Sequence, residues 1–141
     1  MNCMSETQDF RHQLAQLREA LLALHKALVE SERISYEQSI GTIPSPNHFL
    51  KLLTEDPWFA WLHPVSELIV TMDEVLDPKA KTPLTRDAAA ALIKRTGELL
   101  VAAETGEGFA RHYFDALQRD PAVVMAHAAA ARWFRPRKAN G

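Results

Sequence analysis

Histidines are the residues of this chain that most readily suggest chemistry. The 141 residues contain six of them, and His63 stands four residues before Glu67. On a helix this spacing places an imidazole beside a carboxylate, and His112 or His127 could complete a mononuclear metal site. Di-iron sites in helical bundles need Glu-x-x-His repeats on two helices, which the chain lacks. The alternative is that these histidines lie at the surface or each make a single hydrogen bond.

Haem binding and enzymatic chemistry find less support in the sequence. Met72 and Met125 could act with histidines as axial haem ligands, but there is no Cys-x-x-Cys-His motif. Methionine in an apolar helical stripe more often fills space. The single cysteine, Cys3, lies near the start of the chain, and neither a Gly-x-Ser-x-Gly turn nor a glycine-rich phosphate loop occurs. We therefore expect a non-enzymatic protein without a cofactor.

A basic segment closes the chain. Arg132, Arg135, Arg137 and Lys138 are interleaved with two aromatic residues, and together they could contact phosphates and stack on bases. Four charges make a weak, salt-sensitive contact, and no helix-turn-helix pattern accompanies them. The sequence therefore favours a basic flexible tail over 135–141, with the aromatic side chains folded onto the body, and argues against a nucleic-acid partner.

Apolar periodicity predicts the elements that must position these residues. Between residues 10 and 28, apolar residues alternate spacings of four and three, the pattern of one buried helix face. No segment shows the two-residue alternation of a strand. We predict an all-α, single-domain bundle of five to six helices over 10–134, with a flexible N-terminus at 1–9. The residues of the first helix face are Phe10, Leu14, Leu17, Leu21, Leu24 and Leu28.

Two Asp-Pro pairs, Asp56-Pro57 and Asp120-Pro121, mark the starts of further helices, since Asp caps a helix and Pro suits its first turn. Pro64 falls inside the apolar stripe that follows the first pair. This position predicts a kinked central helix, or a break near His63. We expect the irregularity to open a pocket or partner groove. Its lining residues would be Trp58, Trp61, His63, Pro64 and Glu67.

Charge is distributed unevenly along the chain. Residues 1–78 hold 5 Lys/Arg against 12 Asp/Glu, whereas residues 79–141 hold 11 against 6. Packing of acidic helices beside basic ones would explain the difference, and an antiparallel or head-to-tail dimer is the alternative. A single cysteine excludes an intrachain disulfide, and no signal core or membrane-spanning run is present. These features favour a cytoplasmic protein that does not enter a membrane.

Three segments of the chain stand out as a set. They are segment 21–37, with His25, Lys26, Arg33 and Tyr36, and the runs Asp-Pro-Trp-Phe-Ala-Trp-Leu at 56–62 and Ser-Glu-Leu-Ile at 66–69. With these segments the chain resembles an uncharacterised family of small bacterial all-helical proteins. The resemblance extends over residues 12–130. It implies a bacterial cytoplasmic protein with a helical fold, and it brings no activity, cofactor or site.

These observations lead to two hypotheses of function. The first is a protein that works by association, with a second copy as a homodimer or with another protein, because its apolar stripes are wide and its charge is segregated. The second is a module that binds a metal ion, haem or a small molecule in the bundle core. The residues of that core site would be His63, Glu67, His112 and His127.

Overall fold

A long first helix organises the fold. The computed structural model describes residues 3–135, and no strand occurs within them, which confirms the predicted all-α bundle. Six α-helices and one short 3-10 helix follow one another along the chain. They are α1 (Cys3–Ser39), α2 (Pro46–Glu55), the 3-10 helix (Pro57–Leu62), α3 (His63–Leu76), α4 (Arg86–Leu99), α5 (Phe109–Arg119) and α6 (Pro121–Phe134).

The predicted apolar face of α1 forms the centre of the core. Its five leucines are inaccessible to solvent, and α1 packs against the 3-10 helix and against α3, α4, α5 and α6. The Nε2 of Gln13 donates to the carbonyl oxygen of Trp133 at 3.2 Å, while Arg119, at the end of α5, reaches Ser31. The start of α1 therefore lies beside the end of α6, and the later part of α1 lies beside Arg119, which precedes α6. The two helices run antiparallel.

The helix α1 begins at Cys3, inside the stretch 1–9 for which the sequence predicts a flexible N-terminus. The physical reason is that no glycine or proline occurs in this stretch, so the helix can continue upstream of Phe10 without losing backbone hydrogen bonds. Residues 1–2 and most of the predicted tail, 136–141, lie outside the described residues.

The Asp-Pro pairs act as helix starts, as predicted. The side chain of Asp56 accepts a hydrogen bond from the amide of Trp58 at 2.8 Å, and that of Asp120 accepts one from the amide of Ala122 at 2.9 Å. Ser45 and Thr85 cap α2 and α4 in the same way. Each cap satisfies an amide that the first turn leaves without a partner.

The irregularity predicted near His63 is a change from the 3-10 helix to α3, and Leu62 and His63 keep right-handed helical backbone angles across it. The 3-10 helix ends at Leu62 and α3 begins at His63, which places Pro64 in the first turn of α3. An amide at that position has no acceptor within the helix, so proline removes no hydrogen bond there. Pro64 therefore starts the central helix instead of bending it.

Within residues 3–135, no helix combines the length and the apolar character needed to cross a bilayer.

The burial pattern of α1 predicts a sharp contrast between neighbouring leucines. Leu21 is inaccessible to solvent, whereas the side chain of Leu22 is 41% exposed. Replacing Leu21 by Ala should lower the free energy of unfolding by about 2–5 kcal/mol, because it leaves a cavity in the core. Leu22→Ala is the matched control and should change stability by less than about 1 kcal/mol. Urea denaturation followed by circular dichroism would measure both, and equal losses would contradict the assigned face.

Candidate functional site

A buried carboxylate lies where the apolar face of α1 ends. Glu32 follows Leu28 by four residues, so it occupies the same face of the helix, and only 6% of its surface is accessible. Ser31, beside it, is also buried. A charge in this position is stable only when donors surround it, because water cannot solvate it there.

Three donors surround the Glu32 carboxylate. The indole Nε1 of Trp58 donates to Oε2 at 2.8 Å, and that of Trp61 donates to Oε1 at 3.2 Å. The Nη2 of Arg119 lies 3.4 Å from Oε1, and its Nε and Nη2 donate to the Ser31 hydroxyl at 3.1 and 3.0 Å. We call Ser31, Glu32, Trp58, Trp61 and Arg119 the Glu32 cluster.

The 3-10 geometry explains why two tryptophans reach one carboxylate. A 3-10 helix has three residues per turn, so side chains three apart lie on the same side. Trp58 and Trp61 have that spacing and both donate to Glu32, while Phe59 is fully buried and packs against Tyr36 and Phe49. Because of this geometry, the two tryptophans contact Glu32 while Phe59 packs in the core, so the three aromatic residues do not compete for one helix face.

Both Asp-Pro pairs adjoin the Glu32 cluster. Asp56 caps the turn that holds Trp58, and Asp120 directly follows Arg119. The two caps fix the backbone next to Trp58 and Arg119, whose side chains donate to the carboxylate of Glu32. The ion pair between Glu32 and Arg119 also joins the acidic first half of the chain to the basic second half.

A narrow cleft of about 240 Å³ opens beside the cluster, between the 3-10 helix and α5. His112 forms one wall by stacking on the indole of Trp61, with ring centroids 5.3 Å apart and planes 16° from parallel. Asp115 forms part of the rim and pairs with Arg111 at 3.3 Å. The volume lies below the range of about 300–1,000 Å³ that is usual for ligand pockets. The cluster therefore serves first as an internal connection between helices.

The residues predicted to line a single groove at Pro64 lie in three places. Trp58 and Trp61 face the cleft beside Glu32. Pro64 and Glu67 line a separate depression between α3 and α4. The exposed His63 directs its Nε2 to the carbonyl oxygen of Leu53, at 3.1 Å. The junction at Pro64 therefore lies between two separate surfaces and does not form one groove with them.

The four residues of the hypothetical core metal site are also separate. His112 stacks on Trp61, His127 binds Tyr113, and His63 contacts the end of α2, while Glu67 faces α4. Across the described part of the chain, no three His, Cys, Asp or Glu side chains come together as a metal site would need. These histidines have separate structural contacts because α3, α5 and α6 present them at different points of the bundle.

His127 forms a buried pair with Tyr113. The tyrosine hydroxyl lies 2.6 Å from Nδ1 of His127, and burial raises the pKa of Tyr113, so the hydroxyl stays protonated and donates. Burial and the nearby cation of Arg135 lower the pKa of His127 below its ordinary value. Burial lowers the pKa of His25 as well. The fold therefore favours the neutral form of both imidazoles.

A second cleft, larger and basic, lies where the early part of α1 meets α4 and the end of α6. Its volume is about 830 Å³, and four cationic residues line it: Arg86, Lys94, Arg132 and Arg135. Asp9 is the acidic residue in the lining, and Phe10, Trp133 and Phe134 supply aromatic surface. The basic cleft thus contains two of the four residues named above for nucleic-acid contact. The other two, Arg137 and Lys138, lie outside the described residues.

The outer face of α6 is exposed and uncharged over most of its length. Residues 121–131 include no Asp, Glu, Lys or Arg. Val123 and Ala130 point into the core, whereas the opposite half of the helix is open to solvent. The exposed residues of this α6 face are Pro121, Ala122, Val124, Met125, Ala128 and Ala129.

Comparison of the chain with known protein families, with characterised proteins and with solved structures gave no match. Functional inference therefore rests on the residues of this chain.

Sequence reasoning missed two residues of the Glu32 cluster, Glu32 and Arg119. The signal for Glu32 was its spacing of four from Leu28 and eight from Leu24, which extends the leucine face into a carboxylate. A charge at such a position requires a partner. Nothing in the local sequence indicates that this partner would come from Arg119, 87 residues away.

The Glu32 cluster predicts a specific loss of stability. Replacing Glu32 by Ala leaves two indole donors and a guanidinium without their acceptor, and the free energy of unfolding should fall by about 1–3 kcal/mol. The control is Glu30→Ala on the same helix, because the exposed Glu30 pairs with Arg33 at the surface. That change should lower stability by less than about 1 kcal/mol. Chemical denaturation followed by tryptophan fluorescence measures both, and equal effects would contradict the role assigned to Glu32.

The lowered pKa values of His25 and His127 predict that acid destabilises the fold. Between about pH 7 and pH 5 the unfolded chain binds protons at these imidazoles while the folded chain resists them, so the free energy of unfolding should fall as the pH falls. His127→Gln keeps an acceptor for Tyr113 and should flatten this dependence in thermal melts. An undiminished pH dependence in His127→Gln would contradict the assignment.

Proposed function

We propose that the protein works without enzymatic activity by associating with a second copy of itself, and that the α6 face is the contact surface. The observation that carries this proposal is the exposure of an uncharged helix face. Met125, at its centre, is 72% exposed, and the exposed residues around it are apolar as well, so that they form one contiguous patch. The resemblance described above suggests that this association takes place in a bacterial cytoplasm.

The arrangement of side chains on α6 suits contact with another helix. At about 100° per residue, Met125 and Arg132 lie two turns apart along the middle of the exposed half. Ala122, Ala128 and Ala129 flank this line, and their small side chains would let a second backbone approach closely. Met125 offers a flexible apolar side chain that adapts to an apolar surface.

A two-fold axis near Met125 makes this face complementary to itself. In a symmetric dimer the same patch meets its copy, so a patch without charge avoids like-charge repulsion. Antiparallel packing would move the two Arg132 cations about 10 Å to either side of the axis. The two cations would then lie about 20 Å apart, beyond the screening length of physiological salt, so their mutual repulsion would be small. One helix face buries less than the roughly 800 Å² per partner of a standard interface, so the association should be weak.

Light scattering coupled to size-exclusion chromatography tests this proposal. Between about 5 and 500 µM the mass should rise from one chain towards two, the range expected for a weak contact. Met125→Glu would place two carboxylates at the axis and should keep the protein monomeric at every concentration. Val70→Glu is the matched control, because Val70 is an exposed apolar residue on α3.

A wild-type mass of one chain throughout would contradict the proposal. So would a loss of association in Val70→Glu equal to that in Met125→Glu, since the contact would then not be specific to α6. Circular dichroism of each variant would establish that the fold is retained.

A further inference from the structure

We propose that the basic cleft binds a small organic anion with a flat apolar body, such as an aromatic carboxylate, sulfonate or phosphate ester. This inference is independent of self-association, because α1 and α4 form most of the cleft. Its volume of about 830 Å³ falls in the range of small-molecule sites. The lining combines cationic and aromatic side chains from three helices.

The charges of the cleft favour an anion. Lys94, Arg132 and Arg135 line it together with Arg86, and Asp9 is the one carboxylate among the described lining residues. A concave surface lined mainly by one sign of charge concentrates the field within it and raises the local concentration of oppositely charged molecules. The C-terminal end of α6 opposes this field with its carbonyl groups. That opposition is reduced because the carbonyl oxygen of Trp133 already accepts a hydrogen bond from Gln13.

An aromatic ring holds one of the cations in place. The guanidinium of Arg132 lies 5.8 Å from the ring centre of Trp133. A guanidinium held in this way keeps its edge N–H groups available for a planar anionic group. This arginine therefore needs little reordering when an anion binds.

The apolar side chains of the cleft would contact the flat body of the ligand. Phe134 and Trp133 are half-buried, so part of each ring faces the cleft, and Ile93 adds aliphatic surface from α4. Phe134 packs closely against α4, where a Cβ placed on Gly97 would approach its ring to 3.0 Å. This contact fixes the position of the ring. An inorganic anion would use the cations alone, whereas an anion with an aromatic body would also cover these rings.

Two fluorescent probes test whether the site needs the anionic group of the ligand in addition to its apolar body. The aromatic sulfonate 1-anilinonaphthalene-8-sulfonate should bind the full chain saturably, with enhanced emission and an affinity that decreases as salt is added. N-phenyl-1-naphthylamine has the same rings without the sulfonate and should bind at least about tenfold more weakly. Equal affinities, or saturable binding of neither probe, would overturn the proposal.

Two neighbouring residues of α4 supply the matched variants. Lys94→Glu reverses a charge of the cleft and should weaken sulfonate binding about tenfold. Arg95→Glu makes the same change in net charge, but Arg95 lines the depression beside Pro64, so the affinity should stay within about twofold of wild type. If both variants weakened sulfonate binding equally, the effect would come from the net charge of the protein, and the assignment of the anion site to the basic cleft would be wrong.

A thermal melt of each variant shows whether it is folded. If Lys94→Glu is not folded, the affinity for the sulfonate is measured with Lys94→Ala instead. An oligonucleotide that binds to the chain when the sulfonate does not would also overturn the proposal, because the basic residues would then form a nucleic-acid surface.

Discussion

The buried face of α1 determines where the other helices pack. Five of its leucines are inaccessible to solvent, and the helices around α1 each cover part of them. Past Leu28 the same face reaches Ser31 and Glu32, where apolar packing can no longer continue. A carboxylate is stable at that depth only among donors, so the surrounding chain has to bring polar hydrogens to this point.

Two segments far apart in the sequence supply these hydrogens. The 3-10 helix contributes the indoles of Trp58 and Trp61, and the end of α5 contributes the guanidinium of Arg119. Each segment adjoins an Asp-Pro pair, which fixes the backbone next to the donor. The recurring pair therefore has a role in tertiary packing as well as in starting helices, because it directs two remote segments towards one carboxylate.

The helix α6 belongs to the core on one side and to the surface on the other. Its inner residues pack along α1, and its pair between Tyr113 and His127 connects it to α5. Its outer half carries the uncharged face around Met125, and its last turn contributes Arg132 and Arg135 to the basic cleft. Self-association and anion binding are thus proposed for different parts of one helix, with Arg132 at the border between them.

The helical class, the leucine face of α1 and the helix starts at the Asp-Pro pairs could be predicted from the sequence, because they depend on spacings of three or four residues and on local hydrogen bonds. So could the position of the irregularity at Pro64. The sequence did not predict that this irregularity is a change from a 3-10 helix to α3, that Trp58 and Trp61 meet Glu32, or that His63, His112 and His127 lie apart. Those outcomes depend on how α1, α5 and α6 pack, and contacts between residues as distant as Glu32 and Arg119 leave no local pattern in the chain.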